Sequence, residues 1–474
     1  MAAIDFRHCF LSFFALFLFT ITPAVGNVNE AEFSESDIIT RDVCIIGGGS
    51  SGTYSAIRLQ QMGKSVAVVE KESVLGGHVN TYFDPVTGES FDYGVISFDN
   101  ITVVRNYFDH FGIKLAPLVY NAGPQQYADF ANATFVSASA LPQGNLTAAL
   151  IGYGKQLEKY PYLFTKGYDL PSPVPADLLL SYGDFINKYN LQALAYTAFT
   201  FIQGVGNLLA QPTLYIMKYF APATLNNILT GSGFLTTANH DNHELYEKAL
   251  AELGSSAFIS SNVTQISRNN DSVRVVISTT EGRKLIRASQ LLIAIQPKLS
   301  SLSGFLDLDA EEASLLGQFN NSYYWDSVVR NSGVPDNTSI NNVDPAAPFA
   351  LPPLPGIYSI GSTGLPGLHT VYYGSPYAIS NEEVKSDILT TIAELVKAAG
   401  YPPVNGTAEF VGFNDHRPFE LTVSVDAIKA GFYARLNGLQ GRRKTWWTGA
   451  TWQAHDSSQI WNWTEYQLLP KMAA

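Results

Sequence analysis

The chain has 474 residues, 46 % of them apolar and 15 % charged, a balance that excludes intrinsic disorder over most of its length. A formal net charge of −12 repels phosphate backbones, so no nucleic-acid partner is expected, and two cysteines exclude a disulfide scaffold. Length alone sets an expectation of about three domain-sized units, or two large interleaved ones.

The first element reads as an address. Arg7 and His8 precede an apolar run at 9–22, and Pro23-Ala24-Val25-Gly26 then supplies the small residues of a cleavage site. The run is shorter than the ~20 residues needed to cross a bilayer. Residues 1–26 are therefore expected to be a signal peptide cleaved after Gly26, an uncleaved N-terminal anchor being the other reading. The mature chain would have no transmembrane span, keep Cys44 as its one cysteine, and enter the secretory pathway or the extracellular space. Nine Asn-x-Ser/Thr sequons become glycosylation candidates there: Asn100, Asn132, Asn145, Asn262, Asn270, Asn320, Asn337, Asn405 and Asn462.

Residues 42–46, Asp-Val-Cys-Ile-Ile, read as a buried strand with Cys44 an inert member. Gly47-Gly48-Gly49-Ser50-Ser51-Gly52 follows and matches G-x-G-x-x-G. Ala56, Leu59 and Met62 then give helical spacing over 53–62, Gly63 stops the helix, and 65–69 reads as a second buried strand ending at Glu70. Each part has a mechanical job at a dinucleotide. Gly47 permits the tight turn, Gly49 lets backbone approach a pyrophosphate, and Gly52 lets helix and strand pack closely. Gly48 and Ser51 complete the loop, and the helix N-terminus offers free N–H groups and a positive dipole end. Glu70 lies 18 residues beyond Gly52, where a carboxylate accepts from ribose hydroxyls and repels a 2′-phosphate.

Leu75-Gly76-Gly77-His78 comes next, and two glycines there let the chain double back over a ribityl-phosphate. This feature resembles the extended FAD-binding signature of the flavin amine oxidase superfamily, with His78 standing where the superfamily commonly has arginine. The resemblance implies FAD as cofactor. It also implies an α/β fold: a Rossmann-like FAD-binding domain built from discontinuous segments at 41–99, 231–297 and 431–474, with an inserted α+β substrate domain at 100–230 and 298–430.

Further along, 189–217 carries no charged residue. Its glutamines, glycines and Pro212 argue for buried helices rather than a membrane span, with some faces lining an apolar pocket for a small hydrophobic substrate. A helix is expected over 245–253, then strands at 257–266, 272–278 and 290–295, with a hairpin turn at 280–282. The resemblance maps Val263, in the middle of the first of these strands, onto a backbone contact with adenine. Aromatic clusters at Tyr323-Tyr324-Trp325 and Tyr372-Tyr373, with Tyr377 beyond, read first as core packing. At the end of the chain a strand over 444–450 runs into a glycine turn, and a helix opens at His455 and ends near Leu469-Pro470. The resemblance points that helix at the flavin pyrimidine, brings Gly449 to the ribityl-phosphate chain, and sets Gln459 and Ile460 near the ring, where a helix dipole stabilises the anionic reduced flavin.

The whole mature chain is similar to the beta-cyclopiazonate dehydrogenase family, fungal FAD-dependent oxidoreductases of secondary metabolism. The similarity rests on Gly76-Gly77-His78-Val79-Asn80-Thr81-Tyr82, Phe91-Asp92-Tyr93-Gly94, Gly431-Phe432-Tyr433, and Thr448-Gly449-Ala450-Thr451-Trp452 with His455-Asp456-Ser457-Ser458. It implies hydride transfer from a substrate C–H bond to flavin N5 in a dry pocket, leading to desaturation or oxidative cyclisation, with O2 reoxidising the flavin. No cysteine follows Cys44, which excludes a thioether link near the C-terminus. No lysine lies near Tyr323-Tyr324-Trp325 to sit by N5, and Lys298 comes too early. His455, Asp456, Tyr373 and His78 are open as acid or base, none is assigned as catalytic, and no metal is expected. Two other readings stand beside this one: a secreted amine, amino-acid or prenylcysteine oxidase, and a non-catalytic flavin-containing glycoprotein that binds a hydrophobic ligand.

Overall fold

The computed structural model describes residues 28–119, 123–231 and 233–473, so the expected signal peptide lies outside the described residues. Val43–Ile46 and Val66–Val69 are unbroken apolar runs, buried on both faces, as central parallel strands must be. Ile38–Ile46 pairs in parallel with Val66–Val69 on one side and with Gly282–Ile293 on the other. The sheet runs Ala257–Phe258, Val66–Val69, Ile38–Ile46, Gly282–Ile293, Val273–Thr279, Asn262–Arg268. Thr445–Trp447 lies parallel to the far end of Gly282–Ile293. Three distant stretches of chain thus build one sheet. The crossover helix Ser50–Gln61 lays a mostly buried face on it and stops before Gly63, whose φ of +80° suits glycine.

Several expected boundaries move. The strand drawn over 257–266 is two strands. Ala257–Phe258 pairs with Val68 and Val69, the chain turns through Ile259–Ser261, and Asn262–Arg268 starts an antiparallel meander. Val263 therefore stands near the start of a strand, beside the cofactor groove. The strand expected at 290–295 is the second half of the 12-residue strand Gly282–Ile293. Its first half pairs with Val273–Thr279 and its second half with Thr445–Trp447, and this exchange of partners has no local sequence signal. The C-terminal helix begins at Ser457 rather than His455, and it does not end at Pro470. A π turn over Thr464–Leu468 intervenes, and Leu469–Ala473 continues the helix. Proline lacks an N–H, so it is accommodated in the first turn of the helical piece that follows the π turn.

The second large sheet runs Glu409–Asp415, Tyr323–Arg330, Leu368–Ser375, Gly356–Ser362, Ser339–Asn342, Gln125–Asp129, Thr134–Val136. One face packs on the long helix Asn381–Ala399 through Val384, Ile388, Ile392 and Leu395. Trp325 and Tyr373 belong to this packed face, while Tyr324, Asp326 and Tyr372 project from the other, the period-two alternation of a half-covered sheet. Short helices from the uncharged stretch, Ala195–Phe201 and Thr213–Tyr219, close over that second face. Turns at Gly204 and Gly206 break the stretch, and no described helix is long and apolar enough to cross a membrane.

Candidate active site

A cavity of about 1750 Å³ runs from the glycine loop to the open face of the second sheet. At one end it meets the N-terminus of Ser50–Gln61. Gly49 has no side chain to cap this helix, so its first N–H groups remain for a ligand. Gly47 turns the chain at φ +100°, and a Cβ at Gly52 would overlap the Gly47 carbonyl oxygen. Glu70 lies on the cavity wall with its carboxylate held by two N–H donors, Gly48 at 2.6 Å and Glu72 at 2.9 Å. Val263, Gly76, Gly77 and His78 complete this end, and Gly49 bridges to Gly76. Gly449, at φ +108°, closes the far wall against Ser51 with Ala450 and Ile460.

These residues fit an adenine dinucleotide. The donors sit at a helix end, the carboxylate sits past the second strand, and the floor is one where side chains would intrude. Gly48 and Gly52 serve as packing residues behind the floor. Gln459 is placed differently from the expectation. It does not line the cavity, because its side-chain amide donates to Asp99 at 2.8 Å. The helix start is also partly occupied, since Asp456 accepts from the Ser458 and Gln459 N–H groups. Burial raises the Asp456 carboxyl above the usual range.

Deeper in, Phe199, Phe201, Tyr324, Tyr358, Tyr372 and Phe419 form an aromatic chamber. Three imidazoles border it. His78 lies 4.3 Å from His416 and 6.2 Å from His455, measured between ring centres, and His455 stacks on Phe419 at 4.0 Å. Burial, with the other imidazoles adding to it, holds His78 well below the ordinary histidine range, and burial lowers His455 to about 3. Both rings are therefore neutral at physiological pH.

Of the residues left open as acid or base, His78, His455 and Asp456 reach the cavity, and Tyr373 does not. Tyr373 lies on the packed face of its sheet and donates to Asp387 at 2.8 Å. Trp325 is core, Tyr377 is exposed, and Lys298 bonds to Asn321 outside the cavity.

Two constellations were missed from the sequence. His416 Nε2 lies 2.7 Å from Asp326 Oδ2, both residues buried and both on the cavity wall. Behind His455, Glu420 Oε2 lies 3.6 Å from the imidazole and has no hydrogen-bond partner among the described residues. Lys218 is buried nearby on Leu163 O and Gln453. Burial pushes Glu420 up to about 8 and Lys218 well below the ordinary lysine range.

Fold and groove together define a dinucleotide-binding α/β protein. Residues 45–111 match the NAD(P)-binding Rossmann-like domain family. The chain is 40 % identical over 457 residues to the FAD-dependent oxidoreductase oblC of Cochliobolus heterostrophus, covering 94 % of each chain. It is 39 % identical over 445 residues to the FAD-dependent oxidoreductase pigF of Monascus ruber, covering 93 % of this chain and 94 % of that one. It is 33 % identical over 444 residues to beta-cyclopiazonate dehydrogenase of Aspergillus oryzae, covering 92 % and 94 %. Among solved structures, the CLA-producing fatty acid isomerase from P. acnes superposes with a TM-score of 0.73 at 20 % identity, over 91 % of this chain and 98 % of that one. Wild-type putrescine oxidase bound to putrescine superposes with a TM-score of 0.64 at 15 % identity, over 92 % and 100 %. The protein belongs to the family of fungal FAD-dependent oxidoreductases that includes beta-cyclopiazonate dehydrogenase.

Proposed function

We propose that the protein is an FAD-dependent oxidoreductase of fungal secondary metabolism that oxidises a C–H bond of a hydrophobic metabolite, by desaturation or oxidative ring closure, with O2 as final acceptor. The observation that carries this reading is the continuity of one cavity from a glycine-lined dinucleotide groove into an aromatic chamber. FAD bound in the groove supplies a two-electron hydride acceptor. Gly49 and the first turn of Ser50–Gln61 hold its pyrophosphate, Glu70 its ribose, and the backbone at Val263 its adenine. Gly77 and Gly449 leave room for the ribityl chain. The aromatic chamber binds an apolar ring system and excludes water, which strengthens every polar contact made there.

Deletion in the source organism, followed by metabolite profiling, names the substrate through the precursor that accumulates. Anaerobic addition of that precursor to purified protein bleaches the visible flavin band, and air restores it with release of peroxide. A band that survives the precursor would refute the oxidase reading and leave a ligand-binding flavoprotein.

Passage through the secretory pathway is part of the same proposal, on the apolar run at 9–22 and on the sequons. Among the described residues eight of the nine sequon asparagines are exposed, and Asn462 is half-buried in the C-terminal helix. N-terminal sequencing of the fungal protein is expected to begin at Asn27, and glycosidase treatment to lower its mass.

A further inference from the structure

The cavity that receives the metabolite also contains a base. Asp326 sits on Tyr323–Arg330 and His416 one residue beyond Glu409–Asp415, the neighbouring strand. The His416 N–H donates to Tyr324 O at 3.0 Å and prolongs that pairing, which fixes where the ring enters the cavity. Asp326 is buried and receives three donors. Asn414 reaches Oδ1 at 2.8 Å, and His416 Nε2 and Asn80 Nδ2 reach Oδ2 at 2.7 and 3.4 Å. A carboxylate so occupied has no further role toward a substrate and serves to hold the imidazole.

An ionised carboxylate only accepts, so His416 Nε2 carries a hydrogen, and in the neutral imidazole Nδ1 keeps the lone pair. His416 lines the cavity, and its Nδ1 has no hydrogen-bond partner among the described residues. The groups facing the ring are His78 at 4.3 Å and Tyr324 at 6.0 Å between centres, with His455 also within electrostatic reach and Asp326 behind it. Neighbouring Asp415 and Arg417 are paired with each other.

We propose that His416 is the catalytic base of this cavity and that Asp326 is its positioning residue. The substrate bond that is deprotonated, C–H in a desaturation or O–H in a ring closure, breaks and its proton passes to His416 Nδ1. A second C–H bond breaks with its electron pair leaving as hydride to the flavin, and the pair left by the first bond forms the new C=C or C–O bond. The substrate loses two electrons and the flavin gains them. The inference rests on the oxidoreductase reading above and adds to it the residue that takes the proton.

The test uses holoenzyme and p-nitrophenol as an acidic hydroxyl probe, at a pH below the phenol's own pKa. Wild-type protein is expected to take the probe up and show the phenolate band in the difference spectrum. His416→Gln is expected to lose that band at least tenfold while keeping its flavin absorption. Asp326→Asn is expected to reduce it and to shift the His416 ring nitrogen resonances away from the Nε2–H form. If His416→Gln does not fold, the Asp326→Asn spectra carry the test. With the natural substrate in hand, His416→Gln should lower kcat by about 10²–10⁴-fold. A wild-type cavity that excludes the phenol or leaves it neutral overturns the proposal. So does a flavin-loaded His416→Gln that ionises it as wild type does, or an Asp326→Asn protein with unchanged ring resonances and phenolate band. The oxidoreductase reading fails separately, through colourless protein or a flavin band that the precursor does not bleach.

Discussion

At Gly52 a single hydrogen separates a working groove from a blocked one. A Cβ there would overlap backbone, the Gly47 carbonyl oxygen, which has no rotamer by which to give way. Gly52→Ala is expected to cost about 3 kcal/mol or more by overpacking, and to yield protein without the visible flavin band on purification. Glu420 makes a second residue-scale prediction, with a definite sign. Its carboxyl ordinarily titrates at 4.5 and is pushed up to about 8 by burial. The neutral form is favoured in the folded state, so its contribution is complete below pH 4.5 and is lost as pH rises through 8. Glu420→Gln cannot ionise. Its melting temperature, compared with that of wild type, is expected to improve steadily from below pH 4.5 to above pH 8. Lys218, shifted downward by burial, acts with the opposite sign in both proteins, and its attraction to an ionised Glu420 is absent from the variant.

Two helix starts compare caps with and without a cofactor nearby. Ser380 and Glu383 form a reciprocal capping box at Asn381–Ala399, on the face of the second sheet away from the cavity. Asp456 caps Ser457–Trp463 on the cavity wall. Ser380→Ala is expected to cost about 1 kcal/mol in denaturant unfolding and leave flavin content unchanged. Asp456→Ala is expected to cost a similar ~1 kcal/mol and also to shift the visible flavin spectrum, because it frees two N–H groups and removes a carboxyl beside the groove. The strands of the Rossmann sheet were recognisable at this scale because burial on both faces demands unbroken apolar runs, as at 43–46 and 66–69. The division of 257–268 into two strands was not, because it follows from a change of neighbour at the sheet edge rather than from a change of residue type.

Across the whole molecule, a buried ionic cluster ties the discontinuous segments together. Arg268, on the meander, pairs with Asp307 at 2.7 Å and Glu312 at 2.8 Å, and reaches Thr445 at 3.1 Å. Arg443 joins the same two carboxylates. Arg268→Met leaves Glu312 buried and short of a partner, and should cost about 3–5 kcal/mol in denaturant unfolding. Loss of flavin is expected to accompany unfolding rather than precede it, since the cluster is not part of the cavity wall.

The sequence by itself determined the cofactor groove. Gly47, Gly49, Gly52, Glu70, Gly76 and Gly77 act through backbone room and local turns, which depend on the order of residues along a short stretch. Only the tertiary structure decided the chemistry of the chamber. Asp326 and His416 lie 90 residues apart and meet because their strands are neighbours in one sheet, while Tyr373 turned away because its position in the alternation puts it on the opposite face. A carboxylate and an imidazole so far apart carry no local spacing by which to be paired. Strand register brings them within hydrogen-bonding distance, and register is a property of the folded sheet.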